Sequence, residues 1–184
     1  MSKAEAPTKF LWVDLETTGL YPEKGDRILE IAALITDVSL GEIASYHGLV
    51  KHDGAEITEL LLRNPFWANR SEGLKQIIGE MKGGRPEAEV EADLMTLADK
   101  YYESDETVCL AGNTIRLDRS FIEYWMSDFA AYLHYRMLDV SSFKLWWTAH
   151  GKPEYKKQEK HRALDDIRES IAELKHYNQD INFD

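Results

Sequence analysis

Two carboxylates stand at the end of an apolar run near the start of the sequence. The segment FLWVDLETTGL, residues 10–20, places Asp14 and Glu16 two positions apart. If this segment is extended, both side chains point to the same face and repel each other unless a cation or a shared proton lies between them. The pair therefore indicates a metal site, although a short D-x-E pattern also occurs where a solvated turn begins.

Two later segments carry acids that could join this pair. In CLAGNTIRLDRSF, Asp118 falls in the first turns of a predicted helix, where an acid is also favoured by the helix dipole. In HRALDDIRESIAEL, Asp165 and Asp166 stand in the first turn of another helix. Asp166 lies three residues after Ala163 and four before Ser170, so all three share one face of the helix. Ala163 and Ser170 are small residues that leave room for a site on this face. We therefore favour Asp166 over Asp165 as a site residue.

A histidine precedes the third acidic segment. His161 stands five residues before Asp166, and a loop histidine without a role is the alternative interpretation. A neutral imidazole, with an ordinary pKa of about 6.5, can take a proton from water at physiological pH. Oxygen ligands suit Mg²⁺ or Mn²⁺ and disfavour zinc. Two such ions about 4 Å apart can activate water and stabilise the leaving oxygen, so the set predicts phosphodiester hydrolysis.

The elements that must position these side chains follow from the apolar periodicity. Three early apolar segments separated by turn residues predict a three-stranded meander. Later segments predict alternating helices and short buried strands, and hence an α/β domain with a mixed sheet. The predicted strands are 9–15, 27–37, 42–51, ETVCLAGN and YRMLDV, and the predicted helical regions are 55–104, 117–133, 140–149 and 163–177.

Composition limits the classes of partner and the location. The chain has 184 residues, 43% of them hydrophobic, which suits a single core. A net charge of -11, from 33 acidic and 22 basic residues, disfavours diffuse binding to a long polyanion. The lone cysteine, Cys109, excludes an intrachain disulfide. The first residues lack a signal peptide and no long apolar run follows, so we expect a cytoplasmic protein with no membrane segment.

Three segments together resemble the exonuclease motifs of the DEDDh superfamily, which has a ribonuclease-H-like fold. They are DLETTGL, GNTIRLDRSF and HRALDDIRES. Within that superfamily, HYRMLDVSS and DDIRESIAELKHY are most similar to oligoribonuclease, which degrades very short RNA to nucleotides. The resemblance implies one DEDDh exonuclease domain over residues 1–184, with 1–8 a flexible tail. It also implies a mixed five-stranded sheet flanked by helices.

The same resemblance implies roles for individual residues. Two Mg²⁺ or Mn²⁺ ions would be held by Asp14, Glu16, Asp118 and Asp166. His161 would act as the general base. A homodimer is implied, in which one chain reaches the partner's active site. The residues implied to contact substrate are Leu20 and Trp67 at the bases, Thr114 and Ser141 at the 5′ phosphate, and Tyr135 and Arg136 from the partner.

Departures from the oligoribonuclease pattern leave the substrate open. Thr17 stands where oligoribonucleases have methionine, and ETTG is closer to proofreading exonucleases. The loop before His161 is shorter than in the typical enzyme. The sequence predicts a 3′-to-5′ exoribonuclease that converts short single-stranded RNA to nucleoside 5′-monophosphates. A proofreading or repair exonuclease on single-stranded DNA or longer RNA is the alternative, and a non-catalytic nucleotide-binding module is a remote one.

Overall fold

A mixed five-stranded sheet forms the centre of the fold. The structure, a computed structural model, describes residues 6–69, 76, 78–156 and 163–178. The strands are β1 Lys9–Thr17, β2 Ile28–Asp37, β3 Glu42–Leu49, β4 Val108–Gly112 and β5 Leu133–Asp139. Their order is β3-β2-β1-β4-β5. The first three strands pair antiparallel, as the predicted meander requires, whereas β4 and β5 continue the sheet in parallel.

Helices surround this sheet. Those described are α1 Gly54–Arg63, α2 Pro65–Ala68, α3 Glu87–Tyr101, α4 Arg116–Trp125, α5 Ser127–Ala130, α6 Val140–Ala149 and α7 Ala163–Asn178, with a short 3₁₀ turn at Pro22–Lys24. Residues 78–81 are also helical. The expected helical region 117–133 is divided in two, because Met126 leaves helical geometry with φ -128° and ψ 61°. Within the described ranges, no helix is long and apolar enough to cross a membrane.

Both faces of the sheet are covered. Alternate residues of β1 point to opposite faces, so Leu11 and Val13 pack with residues of α3 and α4, including Phe121. Trp12 faces the other side and packs with α6 and α7, including Ile167. The strand β2 is buried over nearly its whole length, as expected for a strand with neighbours on both edges and both faces covered.

The close approach of β4 to β1 depends on a glycine at the end of β4. A Cβ atom added to Gly112 would lie 2.9 Å from the carbonyl oxygen of Val13 and 3.0 Å from Cδ1 of Ile115. Because β1 and β4 are parallel, their carboxyl ends lie at one edge of the sheet. In α/β sheets this is the edge where ligands bind.

Candidate active site

Three carboxylates meet beyond this edge. Asp14 and Glu16 lie near the end of β1, and Asp166 lies in the first turn of α7. One oxygen from each side chain can be chosen so that all three lie within 4.8 Å of one another, and all three residues are partly buried. The fold therefore brings together residues that are about 150 positions apart in the sequence. The two-residue spacing of the strand pair and the helix face of Asp166 are consistent with this arrangement.

The fourth predicted acid lies beside this group. The backbone N–H of Leu15 donates to Oδ1 of Asp118 at 3.0 Å, which fixes the first turn of α4 against β1. The pKa of Asp118 is raised to about 7, first by burial and then by the charges of Glu16 and Asp139, while backbone hydrogen bonds oppose the shift. A cation would lower the free energy of this negatively charged neighbourhood.

The donor set suits a hard divalent cation. Asp14, Glu16 and Asp166 offer only carboxylate oxygens, which Mg²⁺ and Mn²⁺ prefer. Their mutual proximity also suits a cation, because like charges held together in a partly buried place are costly without one. His161 lies outside the described residues, so its role as general base stays a prediction.

A second polar group lies where β4 and β5 end. The N–H of Thr114 donates to Oδ1 of Asp139 at 3.0 Å and to Oγ of Ser141 at 2.9 Å, and the two hydroxyl oxygens are 3.1 Å apart. Asp139 also accepts the N–H of Ser141 as the N-cap of α6. Thr114 has φ +52°, which is rare for a β-branched residue and is commonly found at functional sites. The structure thus brings Thr114 and Ser141 together.

Behind this group lies a hydrogen-bonded network that the sequence analysis missed. Asn113 donates through Nδ2 to Oγ of Ser170 at 2.8 Å and to Oε2 of Glu173 at 2.9 Å. Its Oδ1 accepts from the hydroxyl of Ser141 at 3.2 Å. The sequence did contain a signal for Glu173. Asp166 and Ser170 lie on one face of the helix, and Glu173 is the next residue on that face.

The turn after β1 exposes Leu20. This side chain is 57% exposed. The carboxylate of Asp26 accepts the N–H of Tyr21 at 2.9 Å and the hydroxyl of Thr18 at 3.4 Å. A Cβ on Gly19 would lie 2.2 Å from this carboxylate, so a larger residue there would displace Asp26 from these hydrogen bonds. The turn is therefore stiff and presents a leucine to solvent shortly after the two acids of β1.

Trp67 anchors this turn from the outside. Its Nε1 donates to the carbonyl oxygen of Thr17 at 3.0 Å, and Nδ2 of Asn64 donates to that of Thr18 at 2.9 Å. The Trp67 ring is only 8% exposed, whereas the adjacent Phe66 is well exposed. Little of the Trp67 ring face is open to a base in this conformation, and its predicted contact with substrate stays a prediction. The ring packs with Leu29, Ile57, Leu61 and Met81.

Tyr135 and Arg136 lie on the edge strand β5. Tyr135 is 68% exposed, and the Arg136 guanidinium carbon lies 5.3 Å from the centre of its ring. Both residues are exposed, so their side chains are accessible to a second chain. Their predicted role across a dimer stays a prediction.

Comparison with known proteins assigns the chain to a family. The RNase_T family, described as exonuclease, matches residues 11–174. An oligoribonuclease of Ectopseudomonas mendocina is 37% identical over 94% of this chain and 96% of its own length. That of Yersinia enterocolitica is 39% identical over 96% and 97%. The chain belongs to the oligoribonuclease family. It is accordingly a hydrolytic exonuclease, and the predicted resemblance is confirmed.

Solved structures support the same fold. Exonuclease I of Methylocaldum szegediense matches with a TM-score of 0.61 and 19% identity, over 93% of this chain. Exonuclease I of E. coli, in complex with a 5cy-dT13 oligonucleotide, matches with a TM-score of 0.61 and 17% identity, over 95% of this chain. The chain spans only 41% of either structure. These likenesses confirm the ribonuclease-H-like α/β fold.

Proposed function

We propose that this chain hydrolyses short single-stranded oligoribonucleotides from the 3′ end and releases nucleoside 5′-monophosphates. The single observation that carries the proposal is the convergence of Asp14, Glu16 and Asp166, with Asp118 alongside. The membership of the oligoribonuclease family over nearly the whole chain supports the choice of RNA and of short substrates.

Two divalent ions, Mg²⁺ or Mn²⁺, are part of this proposal. Asp14, Glu16, Asp118 and Asp166 would hold them. When bound, such ions supply an activated water and stabilise the negative charge of the leaving oxygen. The carboxylates lie at the carboxyl edge of the sheet, and the backbone N–H of Leu15 holds Asp118 there, which supports this assignment. His161 would accept the proton of the attacking water.

Other residues of the chain would hold the substrate. Leu20, exposed on its stiff turn, would pack against the bases at the 3′ end. The hydroxyls of Thr114 and Ser141 would contact the 5′ phosphate, since they lie together beyond β4 and β5. A protein that recognises both ends of its substrate selects short chains.

Electrostatics favours a short substrate as well. The chain carries a net charge of -11, and binding of a long strand depends strongly on neutralising many phosphates. A dinucleotide carries few phosphates, so the ions and a single arginine can offset its charge. We propose that Tyr135 and Arg136 act across a homodimer, and that the protein works in the cytoplasm.

A substrate series tests this proposal. The experiment is a time course with Mg²⁺ or Mn²⁺ on labelled RNA of two, five and twenty nucleotides, beside DNA of the same sequences. We expect the RNA dinucleotide to disappear fastest. Faster cleavage of the RNA twenty-mer or of DNA would reject the short-RNA assignment in favour of a proofreading or repair exonuclease.

A further inference from the structure

Glu173 is a buried carboxylate in the middle of α7. It is 2% exposed, and charged side chains are rarely buried unless hydrogen-bonded partners compensate. Its Oε2 accepts from Nδ2 of Asn113 at 2.9 Å, and its Oε1 accepts from the hydroxyl of Tyr177 at 2.8 Å. One oxygen therefore faces the loop after β4, and the other faces a neighbour one turn later in the same helix.

Its bond to Asn113 fixes the orientation of an amide. Asn113 donates its amide protons to Ser170 and Glu173, so its oxygen must face Ser141. The hydroxyl proton of Ser141 is then directed to Asn113. A serine has one proton to donate, so Thr114 is the donor in the contact between the two hydroxyls. The Oγ of Ser141 also accepts the N–H of Thr114, so the Thr114 hydroxyl can turn to donate to a phosphate oxygen while that contact remains. Glu173 and Ser170 orient Asn113 together, and this orientation decides which hydroxyl keeps a proton for the phosphate.

The same bond stabilises an unusual backbone conformation. Thr114 follows Asn113 and has φ +52°, a conformation that persists only when the surrounding contacts hold it. The contacts on its far side come from Asp139 and Ser141. On the other side, the side chain of Asn113 donates hydrogen bonds to α7. Contacts with α7 on one side and with Asp139 and Ser141 on the other therefore stabilise the turn.

We propose that Glu173 is a positioning residue that sets the distance between the two ends of the substrate site. The helix α7 carries Asp166 near its start, and Glu173 two turns later fastens the turn that presents Thr114. A fixed span between the metal-binding acids and these hydroxyls selects a dinucleotide with a 5′ phosphate. This inference rests on the proposed contact of Thr114 and Ser141 with that phosphate.

The test compares two RNA dinucleotides, one with and one without a 5′ phosphate, by their kcat/KM values. Hydrogen bonds to a charged group justify an expected wild-type preference of about tenfold or more for the phosphorylated form. In Glu173→Leu we expect the preference to fall to about twofold, with little change for the form that lacks the phosphate. Glu173→Gln can still accept from Asn113 and should restore most of the preference.

Tyr177→Phe is the matched control. It removes the hydrogen bond to the other oxygen of the same carboxylate, so it should lower the melting temperature but keep the preference. Loss of the preference in this variant as well would overturn the proposal, because the effect would then follow from helix packing. Asn113→Ala breaks the same link from the loop side and replaces Glu173→Leu if that variant fails to fold.

The outcomes distinguish the contact with the 5′ phosphate from the positioning role of Glu173. Equal cleavage of both dinucleotides by the wild type would reject the phosphate contact itself. A folded Glu173→Leu, or Asn113→Ala in its place, that retains the wild-type preference would reject only the positioning role of Glu173.

Discussion

The two carboxylate regions of α7 differ in what surrounds them. At the start of the helix, Asp166 lies with Asp14 and Glu16 in a group of like charges. Two turns later, Glu173 faces N–H and O–H donors of Asn113 and Tyr177. Like charges held together favour a cation, whereas a carboxylate surrounded by donors stabilises the fold. We propose that one helix thus carries an acid for chemistry and an acid for structure.

The largest expected effect comes from breaking the group of like charges. Asp166→Asn should lower kcat/KM on an RNA dinucleotide about a thousandfold or more, because it removes a proposed metal ligand. The free energy of unfolding without added metal should stay the same or rise, since repulsion is relieved. Steady-state kinetics and urea unfolding measure the two quantities.

Asp165 provides the matched control for Asp166. It is the neighbouring residue, but it lies 3.9 Å from Arg168 in an exposed ion pair. Asp165→Asn should leave kcat/KM within about twofold of wild type, because an exposed pair contributes little. A large loss in Asp165→Asn together with an active Asp166→Asn would reverse our assignment of the two acids.

The next largest effect is on stability at Glu173. In Glu173→Leu, donors of Asn113 and Tyr177 lose their acceptor inside the protein. We expect the free energy of unfolding to fall by about 2–4 kcal/mol, measured by urea unfolding. An unchanged unfolding midpoint would mean that this carboxylate does not stabilise the fold, and the contrast with Asp166 would fail.

A smaller effect is expected where β4 passes β1. Gly112→Ala places a Cβ against the Val13 carbonyl, so we expect the free energy of unfolding to fall by about 1–3 kcal/mol. Turnover should fall as well, because β1 carries two of the proposed metal ligands. Gly54→Ala is the control, since nothing lies within 4 Å of the added Cβ at the start of α1. Thermal unfolding of both variants checks this prediction. Equal stability of the two would contradict the close approach of the strands.

The smallest effect concerns an acid that is paired with a cation at the surface. Hydrogen bonds from Lys9 first, then from Thr8 and the Glu103 backbone, lower the pKa of Glu106 to about 2. A lowered pKa stabilises the fold above the ordinary value, and this stability is lost as pH falls from about 4.5 towards 2. We expect Glu106→Gln to remove less than about 1 kcal/mol at neutral pH and to flatten the acid limb of a pH–stability curve.

Much of the fold and of the acid group could be predicted from local patterns. Apolar runs between turn residues predict the strands, and the spacing of Asp14 and Glu16 places both side chains on one face. The helical period places Asp166 on the face with the small residues, and Asp165 on a different face. These features depend only on the period of a strand or a helix, which the sequence expresses directly.

Other features depend on contacts between distant segments. Ser127 and Asp128, which follow Met126, mark the break in the region 117–133 only weakly, because the apolar spacing continues past them. The positive φ of Thr114 runs against the preference of a β-branched residue and depends on Asp139 and Ser141. The burial of Trp67 likewise follows from packing that no local pattern predicts.

The most direct test of the central claim is a calorimetric titration of Mn²⁺ into the wild type and into Asp14→Ala, with turnover of an RNA dinucleotide measured on the same samples. We predict two bound ions per wild-type chain, and in Asp14→Ala the loss of both metal binding and turnover with the melting temperature unchanged. An Asp14→Ala variant that hydrolyses the dinucleotide at a near-normal rate would contradict the assignment of this carboxylate group as the catalytic metal centre.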